Sequence, residues 1–231
     1  MVELYWLPAS CARVPLVALE ELGIEFELRL VNKFKGDQDG PRYRRLNPSG
    51  KVPTLVWDGF VVPENLAIQK FLAAQAGDQP LLPTGTPVIE ARTDSLLSWF
   101  ASGIHPLIAR LRHPETICSQ PEALHSIRRI AADQLARSFA ALNERLDGRE
   151  WLFDGWSLAD AYLQWLWYRA TLSGFDGTGF ARCADHSLRC QQRPSVERAL
   201  ARERLEIRER EASGELPAGV LTAAKPVVAL G

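Results

Sequence analysis

The chain has almost no net charge and little sulfur. Its 27 Lys and Arg against 28 Asp and Glu leave a formal charge of −1 over 231 residues, so it lacks the basic excess that electrostatic binding to nucleic acid or an anionic membrane would use. A neutral partner or a small molecule is expected instead. Its four cysteines, Cys11, Cys118, Cys183 and Cys190, are too sparse and too uneven for a disulfide framework. No apolar run approaches the roughly 18 residues of a transmembrane helix, and the opening "MVELYW" lacks the basic and apolar regions of a secretory signal. The expectations are no membrane and a reducing, cytoplasmic location.

Hydrophobic residues make up 46% of the sequence, enough at this length for a substantial core in one large or two smaller domains. "VELYW" reads as a strand, "VPLVALEELG" as a helix with Val14, Val17, Ala18 and Leu22 on one face and Gly23 as terminator, and "EFELRLV" as a half-buried strand alternating Phe26, Leu28 and Leu30 with charges. After the polar stretch "NKFKGDQDGPRYRRLNPSG", the segment "KVPTLVWDGFVVPE" carries Asp58-Gly59 between two apolar runs, the strongest short hairpin signal. "ENLAIQKFLAAQAG" then reads as a helix. Residues 1–77 thus form a β-α-β unit, an irregular segment, a hairpin and a helix, an α/β layer arrangement.

"DQPLLPTGTP" ends that pattern and reads as a linker over 78–87. The rest, 88–211, keeps apolar stripes of helical period and no strand alternation, so it is expected to be all-helical. Residues 212–231 form a tail of Gly, Pro, Ala and Val without periodicity, either loose or docked on the surface.

Two groups stand side by side where the first strand hands over to the first helix. Cys11 sits at a helix start, where unpaired N–H groups and the dipole favour a thiolate, with Arg13 two residues on; a buried free cysteine also packs as a small apolar group. Ser10 is either a hydroxyl donor to a ligand thiolate or a cap for the helix. Val14 occupies the third position after Cys11, which excludes a Cys-x-x-Cys dithiol. Pro53 enters a strand where a ladder N–H is normally needed, marking an edge or a cis turn. Glu64 and Asn65 open a helix and suit an amino-acid head group, the acid for the ammonium and the N–H groups for the carboxylate, although ordinary capping uses the same residues. "SLADAYL" places Ser157 and Asp160 at capping-box spacing and reads as structural. The tryptophans 151, 156, 165 and 167 read as core or pocket lining. Cys183, His186 and Cys190 share a helical face, but a closed zinc site wants four ligands and no fourth stands nearby, so no metal is expected.

The ordered set "LYW", "SCARVPLVALEELG", "NPSGKVPTL", "ENLAIQKFLA", "IHPL" and "SLADAYL" resembles the cytosolic glutathione transferases, and among them the bacterial beta class. The resemblance implies a thioredoxin-like N-terminal domain that binds glutathione as co-substrate, an all-helical C-terminal domain that supplies most of the electrophile pocket, and a homodimer. It aligns the beta-class cysteine with Cys11, makes Pro53 cis, and gives the backbone of Val52 to the cysteinyl unit of glutathione. Glu64 and Asn65 hold the γ-glutamyl end, with Asn65 standing where the family usually has Ser. Lys35 and Lys51 are the candidates for the glycyl carboxylate, with Lys33 as an alternative. His105 matches a histidine that approaches the thiol site, and an imidazole with a pKa near 6.5 exchanges protons with a thiol at neutral pH.

The function these readings imply is detoxifying conjugation of glutathione to a small apolar electrophile. The alternatives are glutathione-dependent thiol–disulfide exchange or peroxide reduction through Cys11, and non-catalytic carriage of ligands on the same fold.

Overall fold

The structure is a computed structural model, and it describes residues 1–228. Residues 229–231 of the expected tail lie outside the described residues. Two compact units emerge. The first contains Met1–Leu82 and Arg193–Thr222, and the second Pro83–Gln192 with residues 223–228.

The first unit is built on a four-stranded sheet in the order β2-β1-β3-β4. Strand β1 (Val2–Trp6) pairs in parallel with β2 (Glu27–Leu30) and antiparallel with β3 (Thr54–Trp57), which pairs antiparallel with β4 (Phe60–Pro63). The β1-to-β2 crossover is helix α1 (Arg13–Leu22), whose apolar residues are buried and which stops at Gly23 in the left-handed conformation, φ 63°, as glycine permits at a helix end. Asp58 and Gly59 both take positive φ, as the two-residue turn between β3 and β4 requires. The polar stretch holds a short helix, α2 (Pro41–Leu46), that hydropathy alone does not reveal: Tyr43 is its one buried residue. Helix α3 (Asn65–Ala74) follows β4 directly.

The second unit is helical. Helix α4 (Pro87–Trp99) runs through a π-helical turn at Phe100–Ile104 into α5 (His105–Arg112). Sequence periodicity reads this span as one helix. Pro106 supplies the reason for the break, because a proline ring clashes with the carbonyl four residues back and a widened turn relieves it. Helices α6 (Pro121–Arg145), α7 (Leu158–Leu172) and α8 (Ala181–Gln191) complete the unit. Ser157 and Asp160 form a capping box at the start of α7. Asp160 is fully buried and also accepts from the Leu152 N–H at 2.9 Å and pairs with His186 Nε2 at 2.9 Å. Burial alone pushes the Cys183 thiol on α8 up to about 12. Among the described residues no cluster of three His, Cys, Asp or Glu is arranged to hold a metal ion, and no helix is long and apolar enough to cross a membrane.

Helix α9 (Pro194–Ala212) belongs in space to the first unit, although chain order alone groups it with the helices of 88–211. It packs on α1 through paired charges. Arg13 and Glu203 form a buried ion pair, Arg198 and Arg202 both bind Glu20, and Arg193 binds Glu21. The tail is docked through its described residues. Within the first unit, the Asn32 side chain donates to the Glu215 carbonyl at 2.7 Å, and Leu216 and Leu221 are buried. Within the second, Lys225 N–H donates to Leu172 and Val228 N–H to Gly174.

Candidate functional site

Cys11 lies in the turn that leads into α1 and is buried. Its Sγ donates to the Val52 carbonyl across 3.6 Å, a sulfur contact to a carbonyl 41 residues away. The Val52–Pro53 peptide is cis. Just beyond it, a polar cluster fixes the chain: Tyr43 Oη donates to the Lys51 carbonyl at 2.6 Å and meets Thr54 Oγ1 at 2.9 Å, while Asn47 Nδ2 donates to both acceptors at 2.8 and 3.1 Å. Burial pushes the Tyr43 phenol above its usual range, which keeps it a hydrogen-bond donor. Sequence reasoning missed Tyr43 and Asn47. Their signal was faint, a lone aromatic in a basic helix and an asparagine before a proline.

Ser10 is occupied. Its one hydroxyl proton goes to the Leu7 carbonyl at 2.6 Å, and its oxygen accepts from the Ala12 N–H at 3.2 Å. Of the two readings open in the sequence, this geometry is that of a turn-capping serine. Arg13, the cation beside Cys11, is neutralised by Glu203: both side chains are buried, so it brings the thiol a compensated charge.

The start of α3 forms the other wall. Glu64 is exposed and takes φ 69°, ψ 127°, a left-handed backbone that a non-glycine residue adopts at a cost of about 1–3 kcal/mol, and such residues cluster at ligand sites. Asn65 turns inward, with its Nδ2 donating to the Cys11 carbonyl at 2.7 Å and Gln69 Nε2 donating to its Oδ1 at 2.8 Å. Asn65 thus ties the start of α3 to the turn that leads into α1. The first-turn N–H groups of α3 have no intrahelical acceptor.

Lys33, Lys35 and Lys51 are exposed. Lys33 Nζ stands 5.1 Å from the Phe34 ring centre. The segment that carries Lys33 and Lys35 is held at its root by Asn32, whose Oδ1 accepts from the Phe34 N–H and whose amide reaches Glu215. The first unit therefore contains Ser10, Cys11, Lys35, Lys51, Val52, Pro53, Glu64 and Asn65. His105 belongs to the second unit, at the first position of α5 after the π turn, with its ring edge-to-face on Trp165 at 4.7 Å between centres.

Comparison with known proteins gives this arrangement a family. Residues 9–75 match the family model described as the N-terminal domain of glutathione S-transferase. Glutathione S-transferase 1 of Dianthus caryophyllus is 32% identical over 160 residues, spanning 67% of this chain and 70% of its own. Among solved structures, a sphingomonad glutathione S-transferase complexed with glutathione is 30% identical with a TM-score of 0.76, and the match covers 88% of this chain and 99% of that one. The beta-class glutathione S-transferase of Sphingomonas chungbukensis is also 30% identical with a TM-score of 0.76, covering 87% of this chain and 98% of its own. The chain belongs to the glutathione S-transferase family, and a bacterial beta-class member shares its fold.

Proposed function

We propose that this protein binds glutathione across the starts of α1 and α3 and transfers it to a small apolar electrophile. The observation that carries the reading is the meeting of the Cys11 sulfur with the Val52 carbonyl beside a cis Pro53. In this reading the cysteinyl unit of glutathione pairs with the Val52 backbone. Its γ-glutamyl ammonium meets Glu64, its γ-glutamyl carboxylate meets the Asn65 backbone N–H, and Lys35 or Lys51 receives the glycyl carboxylate.

The chemistry needed is modest. Lowering a thiol pKa by about two units takes roughly 2.7 kcal/mol of differential stabilisation, which a helix start and a few charge-assisted hydrogen bonds supply. The glutathione thiol gives up its proton, with His105 as the proposed acceptor. The thiolate then forms a carbon–sulfur bond as the bond from carbon to the leaving group breaks, and the leaving group departs with the electron pair. Conjugation of glutathione to an aryl halide tests this, and a rate no higher than the uncatalysed one at saturating glutathione would sink it.

The contact between Cys11 and Val52 also favours a second reading. In this reading the Cys11 thiol gives its proton to solvent and the thiolate attacks one sulfur of glutathione disulfide, so that the mixed disulfide forms as the S–S bond breaks and one glutathione thiolate leaves. Cys11→Ala separates the two: loss of reductase activity with conjugation intact assigns Cys11 to disulfide exchange alone. A homodimer, a cytoplasmic location and a detoxifying role complete the proposal. Sedimentation reads the oligomeric state directly.

A further inference from the structure

Two buried amides lead from inside α3 to the Cys11 peptide. Asn65 is 7% exposed and Gln69 0%. The Cys11 carbonyl can only accept, so the Asn65 amide must present its NH2 group there, which turns Oδ1 toward Gln69. Oδ1 can also only accept, so Gln69 must present Nε2. The orientation of both side chains is thereby dictated from the Cys11 carbonyl outward, with bonds of 2.7 and 2.8 Å. The same carbonyl takes the Val14 N–H at 3.1 Å, as expected of a residue entering a helix. Gln69 Oε1 ends the relay, buried and with no partner among the described residues.

We propose that Asn65 and Gln69 are positioning residues that fix the Cys11 peptide against the start of α3 and so set how the thiol meets the Val52 carbonyl. Gln69 acts only through Asn65, by holding its amide in the donating orientation. The ligand half of the inference rests on the glutathione reading. Asn65 would register the γ-glutamyl carboxylate with its backbone N–H while its side chain holds Cys11, so that one residue ties the amino-acid end of the ligand to the thiol.

The test uses the full chain with Gln69→Leu, which removes the orienting donor, and Gln69→Met, which removes it while keeping the side-chain length. Leu72→Ala, at a buried position on the same helix, serves as a control for general loosening. Two quantities are read: the pH midpoint of Cys11 alkylation by iodoacetamide, with the site confirmed by mass spectrometry, and the calorimetric dissociation constant for glutathione. Both Gln69 variants are expected to displace the midpoint by about half a unit or more and to weaken glutathione binding about tenfold, while Leu72→Ala leaves both near wild type. Should either Gln69 variant fail to fold, Asn65→Ala replaces it, with the same expectation. Wild-type values in the folded variants overturn the proposal, as does an equal displacement in Leu72→Ala. A wild type that binds no glutathione while the midpoint still moves leaves the positioning role standing and removes the glutathione reading. Normal binding with an unmoved midpoint does the reverse.

Discussion

Arg13 and Glu203, 190 residues apart in sequence, form an ion pair buried on both sides. The pair joins the first turn of α1, two residues from Cys11, to the middle of α9. It also explains why α9 belongs with the sheet: the buried stripe of α9, Val196, Ala199, Glu203 and Ile207, places an acid among apolar positions, and only a cation on the opposite face makes that tolerable.

The first prediction concerns this pair. Glu203→Gln removes the carboxylate that pairs with the buried Arg13 guanidinium and is expected to cost about 3–5 kcal/mol. Replacing both residues, with Arg13→Met and Glu203→Leu together, recovers most of that loss, since a buried ion pair exchanged for apolar packing is often neutral or better. Urea unfolding of Arg13→Met, Glu203→Leu and the double variant measures the coupling. A double variant no more stable than the single one would show that α1 and α9 depend on the charge itself.

A second prediction follows from Cys183. Its folded thiol titrates near 12 because of burial, against an ordinary value of 9.0. Between these values the unfolded chain has lost a proton that the folded chain keeps, so stability is full below about pH 9 and falls as pH rises, by at most about 1.4 kcal/mol per unit. Cys183→Val removes that contribution. Its stability should therefore decline less than wild type between about pH 8 and pH 10, as read by urea midpoints. Parallel declines would show that Cys183 does not ionise on unfolding in that range.

The sequence was most legible where a signal is local. Gly23, Asp58-Gly59 and the Ser157 and Asp160 box each act within a few residues, and each stands where the periodicity placed it. Glu203 and Gln69 were not legible as site-supporting residues because their partners, Arg13 and Asn65, matter through burial that no local pattern encodes. Asn65 shows the limit most clearly. Its chemistry at a helix start suited a ligand carboxylate, yet its side-chain amide donates to the Cys11 carbonyl, 54 residues away in sequence. The π turn before His105 was similarly hidden, because Pro106 forbids a regular turn without saying which irregular one replaces it.

The tail makes a third prediction. In the first unit, Glu215 is bound through its carbonyl by Asn32, at the root of the Lys33 to Lys35 segment, and through its carboxylate by Arg210 at 2.8 Å. Asn32→Ala and truncation after Ala212 should each loosen that segment and raise the KM for glutathione severalfold while leaving kcat near wild type, the pattern of lost ground-state binding. The truncation, which also strips the buried Leu216 and Leu221, should lose more thermal stability than Asn32→Ala. A fall in kcat without a change in KM would place the tail's role in the chemistry rather than in binding.

The fourth prediction tests His105. Its ring is pinned edge-to-face on Trp165, a geometry worth about 0.5–1.5 kcal/mol beyond area burial, so its orientation is fixed from within the second unit. As a proton acceptor it must be neutral to work, so conjugation should rise with pH as the imidazole loses its proton. His105→Gln keeps much of the shape and a hydrogen-bonding tip but cannot take a proton. It should lower kcat/KM about a hundredfold and remove that inflection. Trp165→Phe keeps an aromatic face under the imidazole, so it should retain the inflection and lose little rate. If His105→Gln keeps the wild-type inflection, the titrating group is another residue. His105 is then simply the first residue of α5, placed by the turn that Pro106 requires.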